Sequence, residues 1–195
     1  MATRAMIGAM AGVAWLAVTA PALADSHEGE GGVPSDVLSG MSWRSIGPAL
    51  MSGRIADIEI VPDDPATWFV GVGSGGVWKT ENAGTTWTPL FDDQPVYSIG
   101  DVALSPHNPN EVWVGTGENH GGRHISFGDG VYRSTDGGET WENLGLEESE
   151  HISKIIIHPD APDTVFVASQ GPLWSKGGQR GLYKTTDGGK TWRQV

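Results

Sequence analysis

One eight-residue pattern, Ser/Thr-x-Asp/Asn-x-Gly-x-Thr-Trp, recurs three times at a spacing of about fifty residues, as Thr80–Trp87, Ser134–Trp141 and Thr185–Trp192. Each copy has the chemistry of a hairpin tip. The Asp or Asn side chain bonds amides of its own turn, the glycine takes a left-handed backbone, and Thr-Trp opens the returning strand. A unit that recurs at this period cannot bury its own apolar face and must stack on its neighbours. That restricts the chain to a repeated architecture.

The repeat extends beyond the motif. Ile55–Pro62, Ile99–Pro106 and Ile152–Pro159 align as apolar strands, each ending at a Pro-x-x-Pro turn (Pro62/Pro65, Pro106/Pro109, Pro159/Pro162). Second strands follow at 68–71, 112–115 and 165–168, and third strands at 76–79, 130–133 and 181–184. The fourth begins at the motif tryptophan. Four short antiparallel strands per unit, with glycine and aromatic residues at fixed places, predict an all-β propeller with blades over 54–92, 98–147 and 151–195. Met41–Gly47 (MSWRSIG) resembles the fourth-strand segment Glu139–Gly145 (ETWENLG), so an orphan outer strand is expected near the N-terminus. Three blades are fewer than a closed propeller needs, and the chain reads as part of a longer protein supplying the remaining blades, or as one sector of an assembly.

Residues 1–24 read as a secretory signal peptide. Arg4 forms the positive region, Ala5–Thr19 is an apolar run too short to span a bilayer, and Ala22-Leu23-Ala24 is a small-x-small cleavage site. The expected location is secreted or periplasmic, with no membrane span after cleavage. Residues 25–40, polar and glycine-rich, read as a flexible leader. There is no cysteine, so stability rests on the core. A formal charge of −12 argues against nucleic acid or anionic lipid as partner.

A four-stranded meander places the first-to-second turns and the repeated motif at one end of each blade. The second-to-third loops and the links between blades lie at the other. Thr80, Asn82, Gly84, Trp87, Ser134, Asp136, Gly138, Trp141, Thr185, Asp187, Gly189 and Trp192 are therefore read as structural. The opposite end, or mouth, carries the loops of unequal length: 72–75, 116–129 and 169–180. Ligand-binding candidates there are Arg54, Ser98, Glu118, Asn119, His120, Arg123, His124, His151, Trp174 and Arg180, with Tyr97 and Lys176 alongside. The Glu118–His124 group has three readings: a ligand-contacting loop, a metal site on His120 and His124 without a third ligand, or a self-bonded scaffold. Trp174 with Lys176 and Arg180 could offer a platform and cations to a peptide carboxylate or a sugar. No metal and no cofactor are expected.

The motif is that of the Asp-box, or bacterial neuraminidase, repeat. Over 43–195 the chain resembles secreted bacterial proteins with a sortilin-type (vacuolar sorting receptor) N-terminal propeller. The residues carrying this are Trp43–Pro48, Ser52–Arg54, Ser74–Thr80, Val114–Asn119 and Gly181–Gly189. The resemblance implies a binding propeller for a peptide, protein or glycan. Asp-boxes also occur in sialidases, xyloglucan hydrolases and assembly factors, so a glycoside hydrolase is the alternative and an envelope scaffold factor a third. In similar xyloglucan hydrolases a catalytic Asp sits in the first unit's second-to-third loop, where this chain has Ser74. Arg54 lacks the flanking residues of a sialidase arginine motif. Glu118 is the one mouth carboxylate nominated as acid or base, and its partner is missing. The balance favours binding over catalysis.

Overall fold

A computed structural model describes residues 53–120 and 125–195. The segments read from the sequence as signal peptide (1–24), leader (25–40) and orphan strand (41–47), together with Arg123 and His124, lie outside the described residues. The described chain forms three four-stranded antiparallel sheets, each a simple meander. The first blade comprises β1 (Ile55–Ile60), β2 (Trp68–Val72), β3 (Gly76–Thr80) and β4 (Thr88–Pro89). The second comprises β5 (Ile99–Ser105), β6 (Asn108–Thr116), β7 (Val131–Ser134) and β8 (Glu142–Asn143). The third comprises β9 (Ile152–His158), β10 (Ala161–Ser169), β11 (Gly181–Thr185) and β12 (Arg193–Gln194).

Two details depart from the sequence reading. Each fourth strand starts one residue after the motif tryptophan and is two residues long. The Pro-x-x-Pro segments also differ among blades. In the first, Asp64 holds an open turn by accepting the Thr67 hydroxyl at 2.6 Å and the Ala66 amide at 3.2 Å. In the second and third, tight turns pair Ser105 with Asn108 and His158 with Ala161, and a register shift follows. Pro109 and Pro162 thus lie inside strands, at the irregular stretch where a missing amide is tolerated.

The motif turn has the same construction three times. Asp136 Oδ1 accepts the Thr140 amide (2.9 Å), and Oδ2 accepts its hydroxyl (2.6 Å). Ser134 Oγ donates to Asp136 (2.7 Å) and accepts the Gly138 amide (2.8 Å). Asp187 with Thr185 and Thr191 repeats the pattern, as does Asn82 with Thr80 and Thr86, except that Asn82 Nδ2 donates to the Thr86 hydroxyl. These donors hold the carboxyls of Asp136 and Asp187 down to about 2. Gly137 donates to the Asn110 carbonyl and Gly188 to that of Asp163, which fixes the motif and the first-to-second turn at one end.

Sheets stack face to face, and the core lies between them. Phe69, Val77, Phe91, Ile99, Val102 and Val114 fill the space between the first two blades. Trp113, Val131, Ile152, Ile155, Val165 and Val167 fill that between the second and third. The motif tryptophans reinforce this stacking in a way the sequence did not disclose. The Trp141 indole N–H donates to the Leu90 carbonyl and that of Trp192 to the Leu144 carbonyl, each at 2.8 Å, so the outer strands of the second and third blades are each tied to the preceding blade.

Candidate functional site at the mouth

The mouth is built by one contact made three times. The residue after each second strand donates its amide to the residue before the inner strand: Gly73 to Arg54, Gly117 to Ser98 and Gln170 to His151 (2.7–2.8 Å). The second-to-third loops and the inner-strand starts therefore share one end.

On this frame sits a polar relay across all three blades. Glu118 is buried, and its Oε1 accepts Arg54 Nε of the first blade at 2.5 Å. A Cβ on Gly73 would stand 2.8 Å from the Glu118 carboxyl carbon, so only glycine there leaves the carboxylate room. The Glu118 amide donates to Ser98 Oγ (2.9 Å), and that hydroxyl lies within donating distance of the Gly73 and Ser126 carbonyls. His151 of the third blade is fully buried and its Nδ1 meets the Glu118 carbonyl at 2.8 Å. A carbonyl only accepts, so Nδ1 carries the proton and Nε2 presents a lone pair. Burial pushes the His151 ring below its ordinary value, which keeps it neutral. Asn119 donates to the Ser153 carbonyl at 3.0 Å. Glu118 Oε2 and His151 Nε2 are buried without a protein partner among the described residues.

The candidate residues thus separate by environment. Ser98, Glu118, Asn119 and His151 come together as an inter-blade clamp, with their polar atoms turned into the protein. Arg54 stands at its edge, with its side chain about half exposed (53%) and the guanidinium held by Glu118. His120 is exposed on the following turn. Arg180 bonds carbonyls of its own loop, those of Pro172 and Ser175. Trp174 on that loop is the most exposed large hydrophobic side chain among the described residues, at 79%. Two exposed rings complete the surface: Tyr97, and Phe127, whose ring centroid is 5.4 Å from that of His151. Phe127 carries no sequence signal beyond its place in a long loop. Ser74 sits in the short β2–β3 turn beside Gly73. No group of three metal-ligating side chains occurs among the described residues.

A second relay links the inner strands. Asp57 of β1 accepts the Val102 amide of β5 (3.4 Å), and Asp101 of β5 accepts the Ile155 amide of β9 (2.8 Å). Lys154 reaches both carboxylates, at 3.2 and 2.8 Å. Burial pushes the Asp101 carboxyl up to about 7. Asp57 is also part-buried, but hydrogen bonds from Asp101 and Lys154 outweigh that and hold it below its usual range. A carboxyl raised from about 4 in the unfolded chain to about 7 in the folded one stabilises most at low pH, and this contribution is lost as pH rises through 7. Asp101→Asn keeps the shape without the titration. The melting temperature of the variant minus that of the parent is expected to grow between pH 4 and pH 8, and a pH-independent gap contradicts the assignment.

Residues 129–195 match the family model described as sortilin, neurotensin receptor 3. A probable oligoxyloglucan-reducing end-specific xyloglucanase of Neosartorya fischeri is 31% identical over 99 residues, 48% of this chain and 10% of that protein. A xyloglucanase of Acetivibrio thermocellus is 25% identical over 134 residues, 62% of this chain and 15% of that protein. Among solved structures, an ancestral GH74 enzyme superposes with a TM-score of 0.56 at 20% identity, covering 76% of this chain and 19% of that one. The Niastella koreensis GH74 enzyme gives a TM-score of 0.52 at 25% identity, covering 70% and 20%. The chain is similar to sortilin-type and xyloglucanase propellers and shares their β-propeller fold. It spans only 10–15% of the length of these two curated relatives. No helix among the described residues is long and apolar enough to cross a membrane.

Proposed function

We propose that this chain is part of an exported β-propeller module that binds a peptide or protein ligand at the mouth. The observation that carries the reading is the Glu118 clamp. It fixes an exposed guanidinium, Arg54, at the same end of the blades as the exposed rings Tyr97 and Phe127. With Nε held by Glu118, the two terminal nitrogens of Arg54 remain free among the described residues to grip a carboxylate in a fork. Tyr97 and Phe127 offer apolar contact, with Trp174 on the third loop of the same end. The chain's charge of −12 repels polyacids, so the favoured ligand carries a single carboxylate, such as a peptide terminus. The sortilin-family match over residues 129–195, the outer half of the second blade and the whole third blade, supports the same class. A glycan remains the other ligand class.

The xyloglucanase relatives motivate a second reading as a glycoside hydrolase. The geometry around Glu118 favours it less. Two carboxylates must straddle the bond being cleaved, whereas Glu118 is sealed beneath Gly73 and Arg54.

Titration with random peptides, each as free acid and as C-terminal amide, and with xyloglucan oligosaccharides separates these readings. Free-acid peptides are expected to bind, and amidation or Arg54→Lys is expected to weaken binding about tenfold or more, since lysine keeps the charge but loses the fork. Release of reducing sugar that disappears in Glu118→Gln would establish the hydrolase instead.

A further inference from the structure

The first blade exposes a face that its two companions bury. Ile55 and Ile58 are 57% and 49% exposed, whereas their repeat equivalents Ile99, Val102 and Ile152 are fully buried and Ile155 nearly so. In the second and third blades this face packs on the preceding blade. In the first it leaves an apolar hollow of about 250 Å³ whose walls include Ile58, Trp68, Val70, Trp78 and Trp87.

The outer end of this hollow has a sharper signature. Trp141 and Trp192 donate to carbonyls of the preceding blade, but Trp87 donates back into its own turn, to Gly84 at 3.1 Å, and is 40% exposed. In both satisfied cases the acceptor is the residue three positions after the preceding tryptophan or its equivalent: Leu90 after Trp87, Leu144 after Trp141. The same two leucines cover the motif glycines. Leu90 Cδ1 is 2.5 Å from a Cβ built on Gly138, and Leu144 Cδ1 is 2.6 Å from one on Gly189. Over Gly84 the nearest atoms among the described residues are rings of its own sheet, Trp87 and Trp68.

We infer that Arg44–Pro48 is the occupant of this outer end, with the Ile46 carbonyl accepting the Trp87 indole N–H and the Ile46 side chain over Gly84. Ile46 stands three residues after a tryptophan, as Leu90 and Leu144 do. The connection also fits. Nine positions separate Ile46 from Ile55, and nine separate Leu90 from Ile99. Nine residues reach about 30 Å, ample to cross the roughly 14 Å from an outer to an inner strand. One strand covers Trp87, Trp68 and Gly84 and leaves Ile55 open.

The chain has no cysteine, so paired substitutions report the contact directly. Leu144→Cys with Gly189→Cys is the positive control, because Leu144 Cβ lies 3.4 Å from a Cβ at 189, close to disulfide geometry. Under mild oxidation of the full chain, Ile46→Cys with Gly84→Cys is expected to close within one molecule as completely as the control. Ser45→Cys with Gly84→Cys, one residue out of register, is expected to close about tenfold less. Failure of the Ile46 pair while the control closes overturns the inference, as does a link only between molecules, which would identify a second copy. Exchange of the Trp87 indole proton, assigned with Trp87→Phe, tests the unsubstituted chain. It is expected to be as slow as that of Trp141 and to accelerate in Ile46→Asp. Exchange as fast as that of Trp174, or no response to Ile46→Asp, overturns the inference.

Discussion

Gly117→Ala is expected to destabilise the protein by about 3–5 kcal/mol and to abolish ligand binding at the mouth. Two costs add at this position. Gly117 has φ of 85°, where any other residue is strained, and a Cβ there would meet the carbonyl oxygen and carbon of Glu150 in the link to the third blade. Backbone lines the gap, so no side chain can move aside. The adjacent residue is Glu118, and displacing it disengages Arg54, Ser98 and His151 together. Urea unfolding measures the first effect. An unfolding free energy within about 0.5 kcal/mol of the parent would contradict the close approach of these segments.

Trp113→Ala is expected to cost a similar 3–5 kcal/mol, for a different reason. The ring is fully buried on β6, and its edge lies 3.2 Å from a Cβ built on Gly189 in the next blade. Its indole N–H donates to Glu111 at 3.0 Å. Arg133 covers the ring at 5.4 Å and approaches Glu111 at 2.9 Å, a close ion pair without hydrogen-bond alignment. Removing the ring opens a cavity between blades and strips a partner from two charged groups. Trp174→Ala provides the contrast: that side chain is 79% exposed, and its loss is expected to stay within about 0.5 kcal/mol while weakening ligand binding.

Repetition made the blades legible. Three aligned copies of strand, turn, strand, strand and motif leave little freedom once the period is known, and the meander then separates the two ends. What depended on neighbouring backbone was not legible. The acceptors of Trp141 and Trp192 are carbonyls of residues about fifty positions away, and nothing local to a tryptophan indicates them. Pro109 and Pro162 read as strand breakers, yet they sit in strands because register shifts relieve the ladder. The short 3-10 turn Glu147–Ser149 is flanked by Leu146 and Glu150 at φ of 59° and 52°, and neither residue type signals a left-handed backbone.

The candidate site was legible in position and not in role. Glu118 and His151 lie among glycines and polar residues and read as surface groups. Gly73 leaves room for the Glu118 carboxylate and Gly117 for the backbone of Glu150 and His151, and a one-dimensional pattern shows neither close approach between blades. Arg54, nominated as the start of an inner strand, proves to be the exposed end of that buried relay. Phe127 gave no signal because a lone aromatic in a loop has no period.

The central claim is that ligand binds at the mouth and not at the end carrying the repeated motifs. Amide hydrogen exchange with and without a saturating free-acid peptide tests it in one experiment. The account predicts slowed exchange at 72–75, 117–129 and 170–180, with 82–86, 136–140 and 187–191 unchanged. Protection confined to those three motif turns would contradict it.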